Sequence, residues 1–236
     1  MSSIYSDEHR RFVQSCMLHG SVTVENALKI LTLIWAKSHP GSPAPSEETL
    51  EQVVNKANMR LLRYQHRIVR LVYDPTNTAY YVFANLSDTA MDRFQTTYPE
   101  AELSFFRVLL CELAESENHQ LGQIQCLNLT GKVKGGGRIV SKNRAEELIA
   151  DWITTGYLTL HNGEIRFGPR AIVEFDHYLV NHFAEHMTNC RLCKQTLFYG
   201  VKCNKCSEIM HVACLKKYIA KMKKCPACKN TWTELQ

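Results

Sequence analysis

Seven cysteines and one histidine near the carboxy-terminal end carry the chemistry of this chain. They fall as Cys190-x2-Cys193-x9-Cys203-x2-Cys206-x4-His211-x2-Cys214-x10-Cys225-x2-Cys228. Each x2 pair is a short turn that aims two soft donors at one tetrahedral point, and eight donors make two complete shells of four. Complete shells point to two structural Zn2+ ions, because a catalytic zinc keeps one position open and takes only three protein ligands. Disulfides are the competing use of so many cysteines, and they require an oxidising compartment. Residues 1–11 are polar and charged, without the apolar core of a secretory signal, so a soluble, reduced protein of the cytoplasm or nucleus is expected. Cys16, Cys111 and Cys126 stand alone in apolar segments and read as buried core thiols.

The formal charge of the chain is +5, and residues 188–236 carry ten Lys and Arg against two acids, so the excess resides in the tail while the rest is net acidic. Seven thiolates outweigh two divalent ions, and part of the lysine excess offsets that difference. Lys216, Lys217, Lys221, Lys223 and Lys224 are left as a solvated face or as a weak contact for nucleic acid or an acidic protein surface. No apolar run reaches the roughly 18 residues a membrane span needs, and no membrane association is expected. The segment Gly131-Lys132-Val133-Lys134-Gly135-Gly136-Gly137-Arg138 lacks the Lys-Ser/Thr ending of a phosphate-binding loop, and it reads as a flexible basic connection.

The elements that must position these donors follow from periodicity. Residues 12–18 and 27–35 show helical spacing, residues 39–45 with three prolines form a loop, and Ser46 caps a helix whose inner face is Leu50, Val53, Ala57 and Leu61. Residues 67–73 and 80–84 then alternate about a turn at Asp74, Pro75 and Asn77. Three helices and a hairpin resemble a winged helix, and the order repeats. Leu103, Phe106, Leu110 and Leu113 make one stripe, residues 124–129 a short element, and Ala145, Leu148, Ile149 and Trp152 a third helix, with Ser141 or Asn143 as its cap and Gly156 beyond its end. Leu158 and Leu160, then Ile165 and Phe167, flank His161-Asn162-Gly163, a turn suited to positive φ. A closing helix from Pro169, with Ile172, Phe175, Leu179 and Phe183 on one face, leads so directly to Cys190 that the tail is expected to dock on the second repeat.

The expected fold is therefore α+β and multidomain: winged helices over residues 1–98 and 99–187, then a two-zinc module over residues 188–236. The third helix of each repeat mixes signs. Lys142 and Arg144 are answered by Glu146, Glu147 and Asp151, while Glu47, Glu48 and Glu51 precede Lys56, Arg60 and Arg63. Mixed charge favours docking to protein over reading DNA.

Four Cys, one His and three Cys is a ligand order shared by PHD fingers and variant RING domains. A cross-brace would put Cys190, Cys193, His211 and Cys214 on one ion and Cys203, Cys206, Cys225 and Cys228 on the other. Forty-nine residues bury too little apolar surface to fold alone, so metal binding would supply most of the folding free energy. A PHD finger places an aromatic two positions before the seventh ligand, where this chain has Lys223. Leu192 between the first two ligands, Leu215 and Tyr218 after the sixth, Pro226 after the seventh and Lys229 after the eighth resemble a RING instead. That resemblance implies a groove of Leu192, Tyr218 and Pro226 for a ubiquitin-conjugating enzyme, with Lys229 bridging the enzyme to its ubiquitin. It also implies a positional mechanism with no catalytic nucleophile in this chain: the ubiquitin thioester is held in a near-attack arrangement. Tyr218 stands for the commoner tryptophan and Lys229 for the stronger arginine fork, which implies weak or partner-dependent activity. The competing role for the three groove residues is packing of the zinc core, and for Lys229 a solvated surface.

Two winged helices before such a RING, with His9-Arg10-Arg11-Phe12 near the start and Gly168-Pro169-Arg170-Ala171-Ile172 leading the pre-RING helix, are similar to the non-SMC element one family of the SMC five/six complex. The resemblance implies a RING-type E3 ubiquitin ligase subunit, nuclear and chromosome-associated, acting in DNA repair by homologous recombination. Its winged helices would dock a MAGE-type subunit, beside a kleisin subunit. A non-enzymatic scaffold stabilised by zinc and a winged-helix DNA-binding regulator using Lys142 and Arg144 stand as alternatives.

Overall fold

The computed structural model describes residues 5–86, 98–133 and 140–232. The first unit runs α1 (Asp7–His19), β1 (Ser21–Thr23), α2 (Val24–Ser38), α3 (Glu47–Leu61), β2 (His66–Tyr73) and β3 (Thr78–Asn85). α2 and α3 start where side chains satisfy orphan N–H groups: Thr23 accepts from Asn26 N and Ser46 from Thr49 N, each at 3.2 Å. Phe12, Leu31, Leu50 and Ile68 meet in a closed core, and buried Asn58 ties α3 to β2 by accepting from Ile68 N at 2.8 Å and donating to its carbonyl at 2.9 Å.

The second unit repeats that order in α4 (Glu100–Glu115), β4 (Gln120–Gly122), α5 (Gln123–Asn128), α6 (Lys142–Thr154), β5 (Leu158–His161) and β6 (Glu164–Phe167). Ser141 is the cap of α6, accepting from Arg144 N at 3.2 Å. Asn162 and Gly163 both take positive φ, 52° and 80°, as the hairpin turn requires. Each unit has a three-stranded antiparallel sheet in which the first short strand pairs with the last, in the orders β1-β3-β2 and β4-β6-β5. These two short strands are the part of the pattern that periodicity missed, since three residues with a single central apolar side chain, as in Ser21-Val22-Thr23, carry no alternation to read. β5 is an edge strand, and Leu160 is exposed rather than packed beside Leu158.

The two units are joined by close packing. Gly156, at φ 81°, leaves no room for a Cβ, which would lie 2.1 Å from Ser21 Oγ. The closing helix α7 (Pro169–His182) contacts the first unit's hairpin, and its Glu174 Oε1 accepts from Asn85 N at 3.4 Å. Cys16 and Cys126 are buried as expected, and burial pushes each thiol up to about 12. Cys111 is only half-buried, because it sits on the outer flank of α4 between the inward Leu109, Leu110 and Leu113. Residues 129–132 form a 3-10 turn, and Lys134 to Arg138 of the expected basic connection lie outside the described residues. Among the described residues, no helix is long and apolar enough to cross a membrane.

The tail holds β7 (Thr188–Asn189) paired with β8 (Thr196–Leu197), β9 (Val201–Lys202) paired with β10 (Ile209–Met210), and α8 (Val212–Met222). It docks on both preceding units, not on the second alone. Phe198 is part of the second unit's core, while Val212 N donates to Asp74 Oδ1, on the first unit's hairpin turn, at 2.9 Å.

Candidate metal centres of the carboxy-terminal module

Three of the four ligand pairs sit on the same backbone turn. In each, the first cysteine N–H donates to a carbonyl five residues on, and its carbonyl accepts from the N–H four residues on: Cys190 with Gln195 and Lys194, Cys203 with Glu208 and Ser207, Cys225 with Asn230 and Lys229. The residue after the second cysteine takes the left-handed conformation every time, at φ 64° for Lys194, 61° for Ser207 and 62° for Lys229. None of the three is glycine, so the turn is held against a local cost by what it closes on. The remaining pair begins α8: His211 stands at its N-cap position, and Cys214 follows in the first turn.

These turns bring the donors together in two groups, Cys190, Cys193, His211 and Cys214, then Cys203, Cys206, Cys225 and Cys228, with the donor atoms of each group within 4.8 Å of one another. In chain order the first and third pairs share one group and the second and fourth the other, so chain segments interleave as in a cross-brace. The spacing fits a tetrahedral ion. Zinc–sulfur bonds of about 2.3 Å place sulfurs about 3.8 Å apart, and a disulfide places them at about 2.05 Å. Cys203 and Cys228 Sγ lie 3.9 Å apart, and Cys206 and Cys225 Sγ 3.7 Å. His211 presents Nδ1 to the first group, 3.3 Å from Cys193 Sγ and 3.9 Å from Cys214 Sγ.

The thiols themselves call for a cation. Burial opposes the Cys190 thiolate, but the N–H groups of Cys193, His211 and Leu192 aim at its sulfur and bring the thiol down to about 7. Cys214 beside it is pushed up to about 12 by burial and by the sulfurs of Cys193 and Cys190. In the second group the N–H of Lys205 leads in holding Cys203 at about 7. The Glu208 N–H favours the Cys206 thiolate, yet desolvation and the surrounding sulfurs drive that thiol up to about 12. The Asn230 N–H leads in lowering Cys228 as well, so lowered and raised thiols lie side by side in each group, as coupled like-charged sites do. A divalent ion at the centre removes that conflict, and the donor set fits zinc.

Around the groups, Leu192 is half-buried against the small core of Cys190, Leu197, Met210 and Leu215. Tyr218 on α8 and Pro226 between the last two ligands are half-buried as well, and Lys229 is exposed. The Lys229 ammonium donates to the Pro226 carbonyl at 3.1 Å, so it is folded back on its own turn. In the second unit's third helix, Arg144 forms a fork on Glu102 at 2.8 and 3.2 Å and reaches Glu147 at 2.8 Å, while Lys142 donates to Asn128 Oδ1 at 3.0 Å.

Sequence reasoning missed the residues that seat the module. Tyr199 hydroxyl accepts from Phe167 N at 2.8 Å and donates to the His119 carbonyl at 3.1 Å. His119 is buried beside Phe167 and Phe198, and it and Asn118 take consecutive positive φ values of 51° and 57°. Asn118 was a faint signal for the left-handed turn, but nothing in spacing marks a tyrosine whose partners lie 32 and 80 residues away.

Comparison with known proteins agrees with this architecture. Residues 190–228 match the model of the RING-like domain. Non-structural maintenance of chromosomes element 1 homologs are similar over nearly the whole chain: the Drosophila melanogaster protein is 27% identical, covering 95% of this chain and 94% of its own length. The Homo sapiens protein is 29% identical, covering 97% of this chain and 85% of its own length. A solved chain from an Nse1-Nse3-Nse4 complex superposes with a TM-score of 0.80 at 24% identity over the full length of both chains. Residues 9–134, more than half of the sequence, match the family model described as Nse1 non-SMC component of SMC5-6 complex, and the chain belongs to that family.

Proposed function

We propose that the tail is a two-zinc RING-type docking platform and that the chain is an E3 ubiquitin ligase subunit of the SMC five/six complex. The interleaving of the two donor groups carries the reading, with Cys190, Cys193, His211 and Cys214 as one ligand set and Cys203, Cys206, Cys225 and Cys228 as the other. When bound, each zinc ion supplies cross-linking and charge neutralisation, because four protein donors leave no open position. The chain's own residues do the rest. Leu192, Tyr218 and Pro226 receive a ubiquitin-conjugating enzyme, and the platform works by holding its ubiquitin thioester for an incoming amine. Lys229 must leave the Pro226 carbonyl to reach ubiquitin, which makes it a weaker bridge than a free arginine.

The divisions at residues 1–98, 99–187 and 188–236 go with two winged helices and the RING-type module. We assign the winged helices to protein docking, with the MAGE-type and kleisin subunits of the complex as partners, in a nuclear, chromosome-associated role in recombinational DNA repair. The support is that Lys142 and Arg144, which a DNA-reading helix would aim at phosphates, are engaged within the unit. The superposed chain was solved within an Nse1-Nse3-Nse4 complex, which supports partners of this kind.

Ubiquitin transfer reconstituted with a conjugating enzyme, with and without the MAGE-type partner, tests the ligase. Leu192→Ala is expected to lower transfer at least about ten-fold, as loss of an anchor in a small interface does, and Lys229→Ala less. Absence of transfer in both conditions supports a second reading, a non-enzymatic scaffold. Two observations favour that alternative: Phe198 is built into the neighbouring core, and Lys229 is occupied by its own turn.

A further inference from the structure

We infer that Asp74, on the turn between β2 and β3 of the first unit, is a positioning residue for the first donor group: its carboxylate sets the charge facing the ring of His211 and caps the start of α8, 138 residues on. The inference rests on the reading of that group as a zinc site. His211 turns Nδ1 toward Cys193 and Cys214, which leaves Nε2 as the ring's outward N–H when Nδ1 is a ligand. The atom facing Nε2 is Asp74 Oδ2, at 3.9 Å. The other oxygen, Oδ1, accepts from Val212 N at 2.9 Å, at the first residue of α8, whose own N-cap residue makes no side-chain bond.

One buried carboxylate therefore does two things that a metal-binding histidine and a helix start each need. Metal-bound imidazoles are held by an acceptor on the second nitrogen, which orients the ring and raises its basicity. Helix N-termini are held by an acceptor on their first N–H groups, and a carboxylate there also meets the positive end of the helix dipole. The Asp74 side chain is 8% exposed, and an anion so enclosed needs such partners. The RING-type module does not carry this group itself. It borrows it from the first unit, so the geometry of one metal centre depends on how the tail sits on the β2–β3 hairpin. Neighbouring contacts hold that seat: Tyr73 bonds the second unit, and its ring meets Tyr199 of the tail edge-on at 5.8 Å.

The test uses the full chain loaded with zinc and a chromogenic chelator that reports each ion as it leaves. Asp74→Asn keeps an oxygen for Val212 N but replaces the negative acceptor facing Nε2, and Asp74→Ala removes both. At 3.9 Å the contact is one of charge rather than a hydrogen bond, so about ten-fold faster release of one of the two ions is expected for Asp74→Asn, the lower end of what such carboxylates do. The other ion leaves at the unaltered rate. In a sample labelled with nitrogen-15 at histidine, the His211 Nε2 resonance shifts in Asp74→Asn and stays in place in Tyr199→Phe, which loosens the tail elsewhere. Unaltered release and an unmoved resonance in Asp74→Asn overturn the inference, as does equal acceleration in Tyr199→Phe. Fewer than two zinc ions in the unaltered chain instead overturns the metal reading on which it rests.

Discussion

The second unit and the tail lie against each other, yet they are held together by different means. The second unit closes on Trp152, Phe105, Phe106, Phe167 and Phe175, all fully buried, with the Phe106 ring 4.7 Å from that of Trp152. The tail's apolar cluster holds four buried residues, Cys190, Leu197, Met210 and Leu215, and one of them belongs to the first donor group. Its large buried aromatic, Phe198, belongs to the neighbour's core. Apolar burial can specify the first of these structures without help. The second has too little of it, so the tail leans on its seat against the other units and, on the proposed two-zinc reading, on cross-links at its donors.

The sharpest way to break this contrast is to take the metal away. Exposure of the zinc-loaded chain to a strong chelator is expected to abolish amide-exchange protection in residues 190–232 while α1–α7 keep theirs; a tail that stays protected would contradict metal-dependent folding. The reciprocal change is Trp152→Ala, which leaves a large hole in the aromatic cluster. It is expected to cost about 3–5 kcal/mol in the urea unfolding of the second unit, with zinc content unchanged at sub-denaturing urea. Loss of zinc in parallel would mean that the two regions form one cooperative whole. In the first unit, Asn58→Ala strips both partners from the buried Ile68 peptide groups. A cost of about 2–3 kcal/mol is expected, read as a lower unfolding midpoint, and a near-neutral effect would show that β2 finds other partners.

The same contrast decides what was legible in the sequence. Helices with stripes such as Leu103, Phe106, Leu110 and Leu113 announce themselves because burial on one face repeats every three to four residues. The donor groups are plainer still, since two soft ligands at x2 spacing have few other uses, while their interleaved pairing was an expectation that only a cross-brace would give. The three left-handed residues after the cysteine pairs were not readable. Lys194, Ser207 and Lys229 share a position, but none is the glycine or asparagine that favours this conformation. Contacts between units left no trace, because nothing periodic links Asp74 to Val212 or Tyr199 to His119. Such bonds depend on how finished units meet, a relation that local pattern does not encode. The order of helices and a hairpin in each unit could be read, but β1 and β4 could not, and these short strands complete each sheet.

The smallest effect probes the junction where all three regions meet. Tyr73 hydroxyl lies 2.9 Å from the Phe167 carbonyl and 2.6 Å from Thr159 Oγ1. A carbonyl can only accept, so the tyrosine proton goes to Phe167, and Thr159 donates to the tyrosine oxygen. Burial leads in moving this phenol from its ordinary 10.0 up to about 12, with the Thr159 bond and Arg166 pulling the other way. The folded state thus holds the proton more tightly than the unfolded one. The associated stability is fully present below the ordinary value and is lost as pH rises toward 12. Tyr73→Phe is expected to cost about 1–2 kcal/mol at neutral pH, by leaving the Phe167 carbonyl and the Thr159 hydroxyl short of a partner. Because the variant has no proton to lose, the gap between the two proteins should narrow when urea midpoints are compared again at about pH 11. A gap that stays constant would mean that the hydroxyl does not couple the units, and that the junction rests on ring packing alone.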